Sequence, residues 1–297
     1  MKKMTILFLV IFLAGGVVMA QIPGLSLGGE LGILDDFGDY MDLGDRIYVR
    51  PMVSYENNSL VQGLELYAEM GTPFWFAPKF WLGFDLDLKV GYGLYLSPIS
   101  RLNFGLESLI LIPVNNNRQA VYTPLAEKID PLMAQYFAAV DPISWLIPSI
   151  RFTQGFDFGE IYGEITMPFL LVEKFLDPFD IFYFNITGGI ETPMGLGASL
   201  TISNAFFDYT DNELFYSLGL KVYYNSGPLY AGMGMLIPTY EDRMKYWGMI
   251  FTPEFAYDVR SNLSIFGKLP IYGFLAKTTE GGRKLSMGMV FGVKYSL

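Results

Sequence analysis

Hydrophobicity in this chain recurs at every second residue, and that period decides what it can fold into. From Phe80 to Tyr92 one face reads Phe80, Leu82, Phe84, Leu86, Leu88, Val90 and Tyr92, and the other reads Trp81, Gly83, Asp85, Asp87, Lys89 and Gly91. Leu102, Phe104, Leu106 and Ile110 likewise oppose Arg101, Asn103, Gly105 and Glu107, and Leu196, Ala198, Leu200 and Ile202 oppose Gly197, Ser199, Thr201 and Ser203. Successive side chains of a strand point to opposite faces, so each segment has one oily side and one polar side. The chain is 52% hydrophobic and 16% aromatic with 32 glycines. Yet beyond residue 20 no run approaches the ~18 apolar residues that a transmembrane helix needs. In lipid the backbone must then be satisfied by a closed barrel, the other spanning solution.

A soluble sandwich also alternates. Two details favour the membrane. The segments reach about ten residues, the length at which a tilted strand crosses a bilayer. Their polar faces mix Gly, Ser and Thr with isolated charges of both signs, as a barrel lumen does.

The N-terminus reads as a targeting segment. Lys2 and Lys3 form a positive region, Met4 to Leu13 is apolar and short, and Val18-Met19-Ala20 suits a peptidase that cleaves before Gln21. The expected organisation is therefore a cleaved signal peptide over 1–20 and one barrel over 21–297; a retained signal anchor is the alternative. Gln21 is not Cys, which closes the lipoprotein route.

The formal net charge is −10, with no histidine and no cysteine. The acidic balance argues against a nucleic-acid partner. Imidazole bases, relays and ligands are unavailable, as are disulfides and thiolate metal sites. No cofactor is implied.

Turn-forming sequences divide the alternating segments into strands at roughly 25–34, 47–56, 59–72, 80–96, 101–112, 146–156, 160–170, 181–192, 195–203, 213–224, 228–238, 247–257, 261–270 and 284–296. The expected fold is all-β: an antiparallel up-and-down barrel of about 14 strands, with both termini on the short-turn side. If 25–34 enters the lumen as a plug, the number is 12. Short turns are expected at Glu56–Ser59, Ser97–Ser100, Asp157–Gly159, Thr192–Gly195, Asn225–Gly227 and Asp258–Ser261. Longer connections alternate with them, the longest being 113–145. Several upward strands end in a proline, at Pro73, Pro113, Pro168, Pro238 and Pro270. Proline cannot donate to a ladder, so pairing is expected to stop there. Aromatic residues gather near the strand ends, at Phe74-Trp75-Phe76, Tyr92, Tyr95 and Tyr223-Tyr224, as interfacial girdles would.

The last segment sets Leu285, Met287, Met289, Phe291, Val293 and Tyr295 against Lys284, Ser286, Gly288, Gly292 and Lys294, and ends Tyr295-Ser296-Leu297. It resembles the C-terminal signature of bacterial outer-membrane barrels, whose final strand is read by the assembly machinery. The family usually ends in an aromatic residue; here Leu297 stands last, with Tyr295 two positions earlier. With the signal peptide, the pattern covers nearly the whole chain and is similar to porin-like and hydrophobic-substrate-channel barrels. That resemblance implies outer-membrane lipid, the assembly machinery and small solutes as partners. Fourteen strands would be shared with long-chain fatty-acid channels, but their N-terminal hatch is not evident in residues 21–46.

Projecting the alternation inward gives a lumen lined by Arg50, Glu65, Glu69, Asp85, Asp87, Lys89, Arg101, Glu107, Arg151, Glu164, Glu191, Lys221, Glu254 and Lys268. Such charges either form a selective polar path or pair to staple a narrow barrel. Glu65, Glu69, Asp85 and Asp87 occupy neighbouring inward positions, where oxygen ligands could hold a divalent cation and paired carboxylates could cleave a glycoside. Arg50, Lys89 and Arg101 are available to neutralise them. In the 113–145 insert, Asp130-Pro131 caps a segment whose Leu132, Met133, Tyr136, Phe137 and Val140 recur at helical spacing. This short helix is expected to constrict the barrel, cover its mouth or lie on the outer leaflet; a loop packed on itself is the alternative. Asp35, Asp36, Asp39, Asp42 and Asp45 make the first long loop acidic, suited to solvation or to lipopolysaccharide-bridging cations. The reading is a passive, non-catalytic channel for small solutes. The alternatives are transport of hydrophobic molecules, using the apolar helix and the Met- and Gly-rich strand 228–238, a closed structural or adhesive barrel, and last a metal-dependent or carboxylate enzyme.

Overall fold

The computed structural model describes residues 22–34, 46–58, 61–76, 81–114, 143–172, 181–207, 213–240, 248–274 and 285–297. They form a closed, all-antiparallel barrel of 14 strands. In chain order these are β1 (Leu25–Leu34), β2 (Arg46–Asn57), β3 (Leu64–Gly71, resuming at Phe74–Trp75), β4 (Trp81–Ser97), β5 (Ser100–Pro113), β6 (Ile143–Phe156) and β7 (Gly159–Thr166, resuming at Phe169–Val172). There follow β8 (Ile181–Glu191), β9 (Leu196–Phe207), β10 (Glu213–Ser226), β11 (Leu229–Tyr240), β12 (Gly248–Arg260), β13 (Leu263–Lys268, resuming at Ile271–Phe274) and β14 (Leu285–Ser296).

Each strand pairs with its sequence neighbours. The sheet closes where β1 meets β14, from Ser26 opposite Ser296 to Leu34 opposite Gly288. Residues 25–34 are thus a strand of the wall and not a plug; β1 also pairs with β2 along its whole length. Closure leaves no row of unpaired backbone groups, which is what makes a sheet tolerable in lipid.

The short connections all lie at one end, with both termini. At Thr192–Leu196 the turn needs a left-handed residue, and Gly195 supplies it with φ 83°. A Cβ at that position would also meet the Asn225 carbonyl oxygen at 1.9 Å. The first short turn lies further along than expected. Asn57 pairs with Leu66, and the chain reverses through 61–63, where Leu64 N–H donates to the Val61 carbonyl at 2.9 Å. The expected helix with Leu132, Met133, Tyr136 and Phe137, the acidic first loop and residues 1–20 lie outside the described residues.

The prolines act differently from expectation. Pro113 ends β5, but Pro238 lies within β11, opposite Ser217. At Pro73, Pro168 and Pro270 the ladder is interrupted and then resumes in unchanged register: Gly71 faces Met52 and Phe74 faces Val49. One device repeats at all three. The residue before each proline donates to the carbonyl of another proline on the preceding strand: Thr72 to Pro51 at 3.0 Å, Met167 to Pro148 at 3.0 Å and Leu269 to Pro253 at 2.9 Å. A missing N–H therefore removes one rung and leaves the strand beyond it paired.

The register sorts side chains by face. Exposed large apolar residues, among them Val49, Leu88, Leu106, Ile150, Leu200, Leu220 and Phe291, point outward from strands all around the barrel. Their neighbours in sequence point in. An arginine outward at the bilayer midplane costs about 2–4 kcal/mol. Leu200→Arg is therefore expected to destabilise the lipid-embedded protein by about that much, and Ser199→Arg, one residue away and inward, by far less. Urea titration of the vesicle-reconstituted protein measures both; equal losses would contradict the facing.

Candidate functional site

The inward face carries the charges. Cross-strand pairing puts Arg50, Glu69, Asp87, Leu109 and Trp145 on one face, together with Glu65, Asp85, Lys89, Arg101, Glu107 and Arg151. Further round, Glu164, Glu191, Lys221, Glu254 and Lys268 share it.

These residues form two kinds of group. The first is a buried knot on β1 to β4. The Arg50 guanidinium grips Asp85 with two bonds, Nε to Oδ2 at 2.8 Å and Nη2 to Oδ1 at 2.7 Å, and Nη2 also donates to Glu69 at 2.7 Å. Tyr67 donates its hydroxyl proton to the other oxygen of Glu69 at 2.6 Å. Glu30 lies 4.0 Å from Arg50 and accepts from the Tyr48 hydroxyl at 3.4 Å. Arg50 is 2% exposed and Asp85 0%, so this is a desolvated ion pair in fork geometry. Room for it comes from Gly71, where a Cβ would lie 2.3 Å from the Arg50 Nε.

Beside the knot the lumen is oily. Leu109, Leu111, Trp145 and Ile147 also face inward and are buried. Alternation alone misses them, because β5 reads Leu109-Ile110-Leu111-Ile112 and is apolar on both sides. The signal was that continuous run, in which Leu109 and Leu111 make the lumen side as apolar as the lipid side. Glu30 and Tyr48 were missed as well; both alternate correctly, but in the weakest strand and its neighbour.

The second group is three cations held against the wall. Arg101 meets Glu65 at 2.7 Å, Arg151 meets Glu164 at 3.9 Å and Lys221 meets Glu254 at 2.5 Å. Each also sits over a tyrosine ring, Arg101 over Tyr95 at 5.5 Å, Arg151 over Tyr162 at 3.8 Å and Lys221 over Tyr230 at 5.5 Å. All are within the range where a ring quadrupole attracts a cation. Toward the short-turn end, a cavity of about 510 Å³ is lined by Glu65, Lys89, Arg101, Arg151, Glu160 and Glu164.

The four acids considered for a cation site do not act together. Glu69 and Asp85 are held by Arg50, whereas Glu65 turns to Arg101. Among the described residues no group of three or more carboxylates is placed to hold a metal ion.

A closed fourteen-strand sheet, apolar outside and charged within, is a β-barrel of the outer-membrane type. No family model and no curated protein matches this chain. Solved structures do. The CymD monoaromatic hydrocarbon channel superposes with a TM-score of 0.53 at 8% identity, covering 97% of this chain and 92% of its own. The deltaS2 mutant of the TodX monoaromatic hydrocarbon channel gives a TM-score of 0.51 at 10% identity, covering 94% and 91%. At such identities the likeness is one of fold.

Removing one partner of a buried pair leaves the other charge uncompensated, at about 3–5 kcal/mol. Arg50→Met is expected to cost that much, and Arg101→Met, whose side chain is 30% exposed, about 1 kcal/mol or less. Urea unfolding of the two refolded variants in micelles checks the ranking.

Proposed function

We propose that this chain is a passive outer-membrane channel that moves small solutes by diffusion and performs no chemistry. The observation that carries the proposal is the opposition of the two faces. Apolar side chains are exposed outward to lipid, while Lys89, Arg101, Arg151, Glu65 and Glu164 border an inward cavity. The inward side is where charge is inexpensive in a membrane barrel, and rings of such charge tune which ions pass. In this reading residues 1–20 are a leader removed on export, and 21–297 insert as one barrel whose last strand, Leu285–Ser296, engages the assembly machinery. The 113–145 segment narrows or covers the pore, with Leu132, Met133, Tyr136 and Phe137 as its contacts. The inward charges then divide by task. Arg50, Glu69, Asp85 and their neighbours brace the wall, and the half-exposed pairs on β3, β5 to β7 and β10 to β12 face the solute.

Residues 21–297, refolded into a planar bilayer, are expected to give discrete ohmic current steps, enlarged by deletion of 119–143. Silence from protein shown to be inserted would overturn the proposal. Charge selectivity gives a second readout. Glu65→Gln with Glu164→Gln leaves Arg101 and Arg151 uncompensated, so the zero-current potential in a salt gradient is expected to move toward anion preference.

A further inference from the structure

Tyrosines mark the membrane interface at the short-turn end, but only around part of the barrel. Outward tyrosines stand near that end of β2, β4, β10, β12 and β14, at Tyr55, Tyr92, Tyr224, Tyr257 and Tyr295. Four of these strands stop just past their tyrosine, β2 at Asn57, β10 at Ser226, β12 at Arg260 and β14 at Ser296. Amphipathic rings settle at headgroup level, so on that side the strands end where the oily belt ends. Among the described residues, no strand from β5 to β9 carries an outward tyrosine. There the apolar surface runs on into the turns. Leu94 and Leu96 follow Tyr92 on the outward side of β4, Ile99 tips the β4–β5 turn, and Met194 tips the β8–β9 turn. Leu96, Ile99 and Met194 are 60%, 61% and 71% exposed, more than Leu88 and Leu200 on the lipid face. At the β6–β7 turn Phe156 and Phe158 stack, 5.2 Å between centroids and 7° between planes. On the opposite rim Val61 stands exposed beside Asn57, Asn58 and Gln62, and Val259 beside Asp258, Arg260 and Asn262. Lone apolar residues of that kind are ordinary on a wet surface.

The polar groups among the apolar tips answer one another. Ser97 Oγ donates to Ser100 Oγ at 2.9 Å, Ser100 Oγ to Gln154 Oε1 at 2.6 Å, and Gln154 Nε2 to the Gly155 carbonyl at 3.2 Å. The Ile99 N–H donates to Ser97 Oγ at 3.3 Å. In the β8–β9 turn the Thr192 hydroxyl donates to the Leu196 carbonyl and accepts from the Leu196 N–H, both at 3.1 Å. A group that leaves water needs such a partner, whereas a turn in water is satisfied by solvent. Asp157, between the stacked rings, is the single charge in these three turns. Beside the third turn lies an outward hollow of about 520 Å³, lined by Ile190, Leu196, Ala198, Val222, Ala231 and Met233.

We propose that the short-turn rim from β4 to β9 is a membrane-docking surface, sunk into the phospholipid leaflet on its side of the membrane, with an acyl chain seated in the Ala198–Ala231 hollow. The rim from β10 to β3 stands in water. The membrane therefore reaches further down one side of the barrel than the other. Phospholipid fits this surface because Leu94, Leu96 and Phe156 continue the outward sides of β4 and β6, which already face lipid, without a change of face. The hollow holds no charged side chain. A protein partner would be met by hydrogen-bonding groups around an apolar centre. Here Ser97, Ser100, Gln154 and Thr192 have spent theirs on one another. The headgroup layer keeps Asp157 hydrated at the tip of its turn.

The chain has no cysteine, so an introduced nitroxide reports one place. Labels at Ile99→Cys, Phe158→Cys and Met194→Cys are compared with Leu200→Cys in the lipid belt and with Ser226→Cys and Asn262→Cys on the opposite rim. The protein is held in vesicles of phosphatidylethanolamine and phosphatidylglycerol, with a nickel chelate on both faces, and collision rates are read by electron paramagnetic resonance. Labels at Ile99, Phe158 and Met194 are expected to meet oxygen more often than the chelate, as at Leu200, and those at Ser226 and Asn262 to show the reverse. Brominated acyl chains give a second readout if a labelled variant does not fold. Ile99→Trp and Met194→Trp are then expected to add emission that bromine quenches, and Ser226→Trp emission that it spares. Lipid is the only partner in these vesicles, so three turns as open to the chelate as Ser226 overturn the proposal and leave the rim to a protein. Equal protection all round the rim overturns it too, because the membrane would then reach the same depth on both sides. Neither readout depends on whether the pore conducts.

Discussion

Closure of the sheet between β1 and β14 is the constraint on which the rest depends. A peptide group left unpaired in hydrocarbon costs several kcal/mol, by order of magnitude, so no edge is tolerable there. Once the edge is gone, every strand has one side in lipid and one in the lumen, and the period-two pattern becomes a division between two solvents. The proline interruptions are compatible with closure because each removes one rung and the register resumes unchanged. At each, the N–H before the proline still finds a carbonyl, itself belonging to a proline on the neighbouring strand.

Within the closed wall, the two halves of the lumen differ. On β1 to β6 several inward side chains are fully buried, among them Tyr48, Arg50, Asp85, Asp87, Leu109 and Trp145. On β8 to β11 they are mostly small, with Thr187, Ser199, Thr201, Ser217 and the inward glycines between the tyrosines. Thr187 and Thr201 share a hydrogen bond across the strands at 2.9 Å, a light fastening compared with the Arg50 fork. The desolvated bracing is local to the Arg50 knot and the packed residues beside it. Toward the short-turn end of the same wall, Glu65, Lys89, Arg101, Arg151 and Glu164 on β3 to β7 border the open cavity.

Much of this was legible in the chain. The strand number, the antiparallel class and the end that carries the short turns all follow from alternation and turn residues. The shared parity of most charges along their strands follows too, because a one-residue slip in register turns every side chain to the other face. What could not be read depends on which residue stands opposite which. Gly71 accommodates Arg50, and Gly197 accommodates Tyr223, only because β3 meets β2 and β10 meets β9 in one particular register. The repeated prolines were visible, but their partners Pro51, Pro148 and Pro253 are distant in sequence. Their effect was therefore read as an end to pairing when it is a single missing rung. The run Leu109–Ile112 was overlooked because a both-sided apolar strand conflicts with the alternation elsewhere.

The central claim is that alternate residues of each strand face water inside a membrane-embedded barrel. The chain contains no cysteine, so any introduced thiol is unique. Single cysteines placed in turn from Ala198 to Ser203 in the vesicle-reconstituted protein, and challenged with a membrane-impermeant maleimide, test the claim directly. The account predicts labelling at Ser199, Thr201 and Ser203 and protection at Ala198, Leu200 and Ile202. Uniform labelling, uniform protection or the opposite alternation would contradict it.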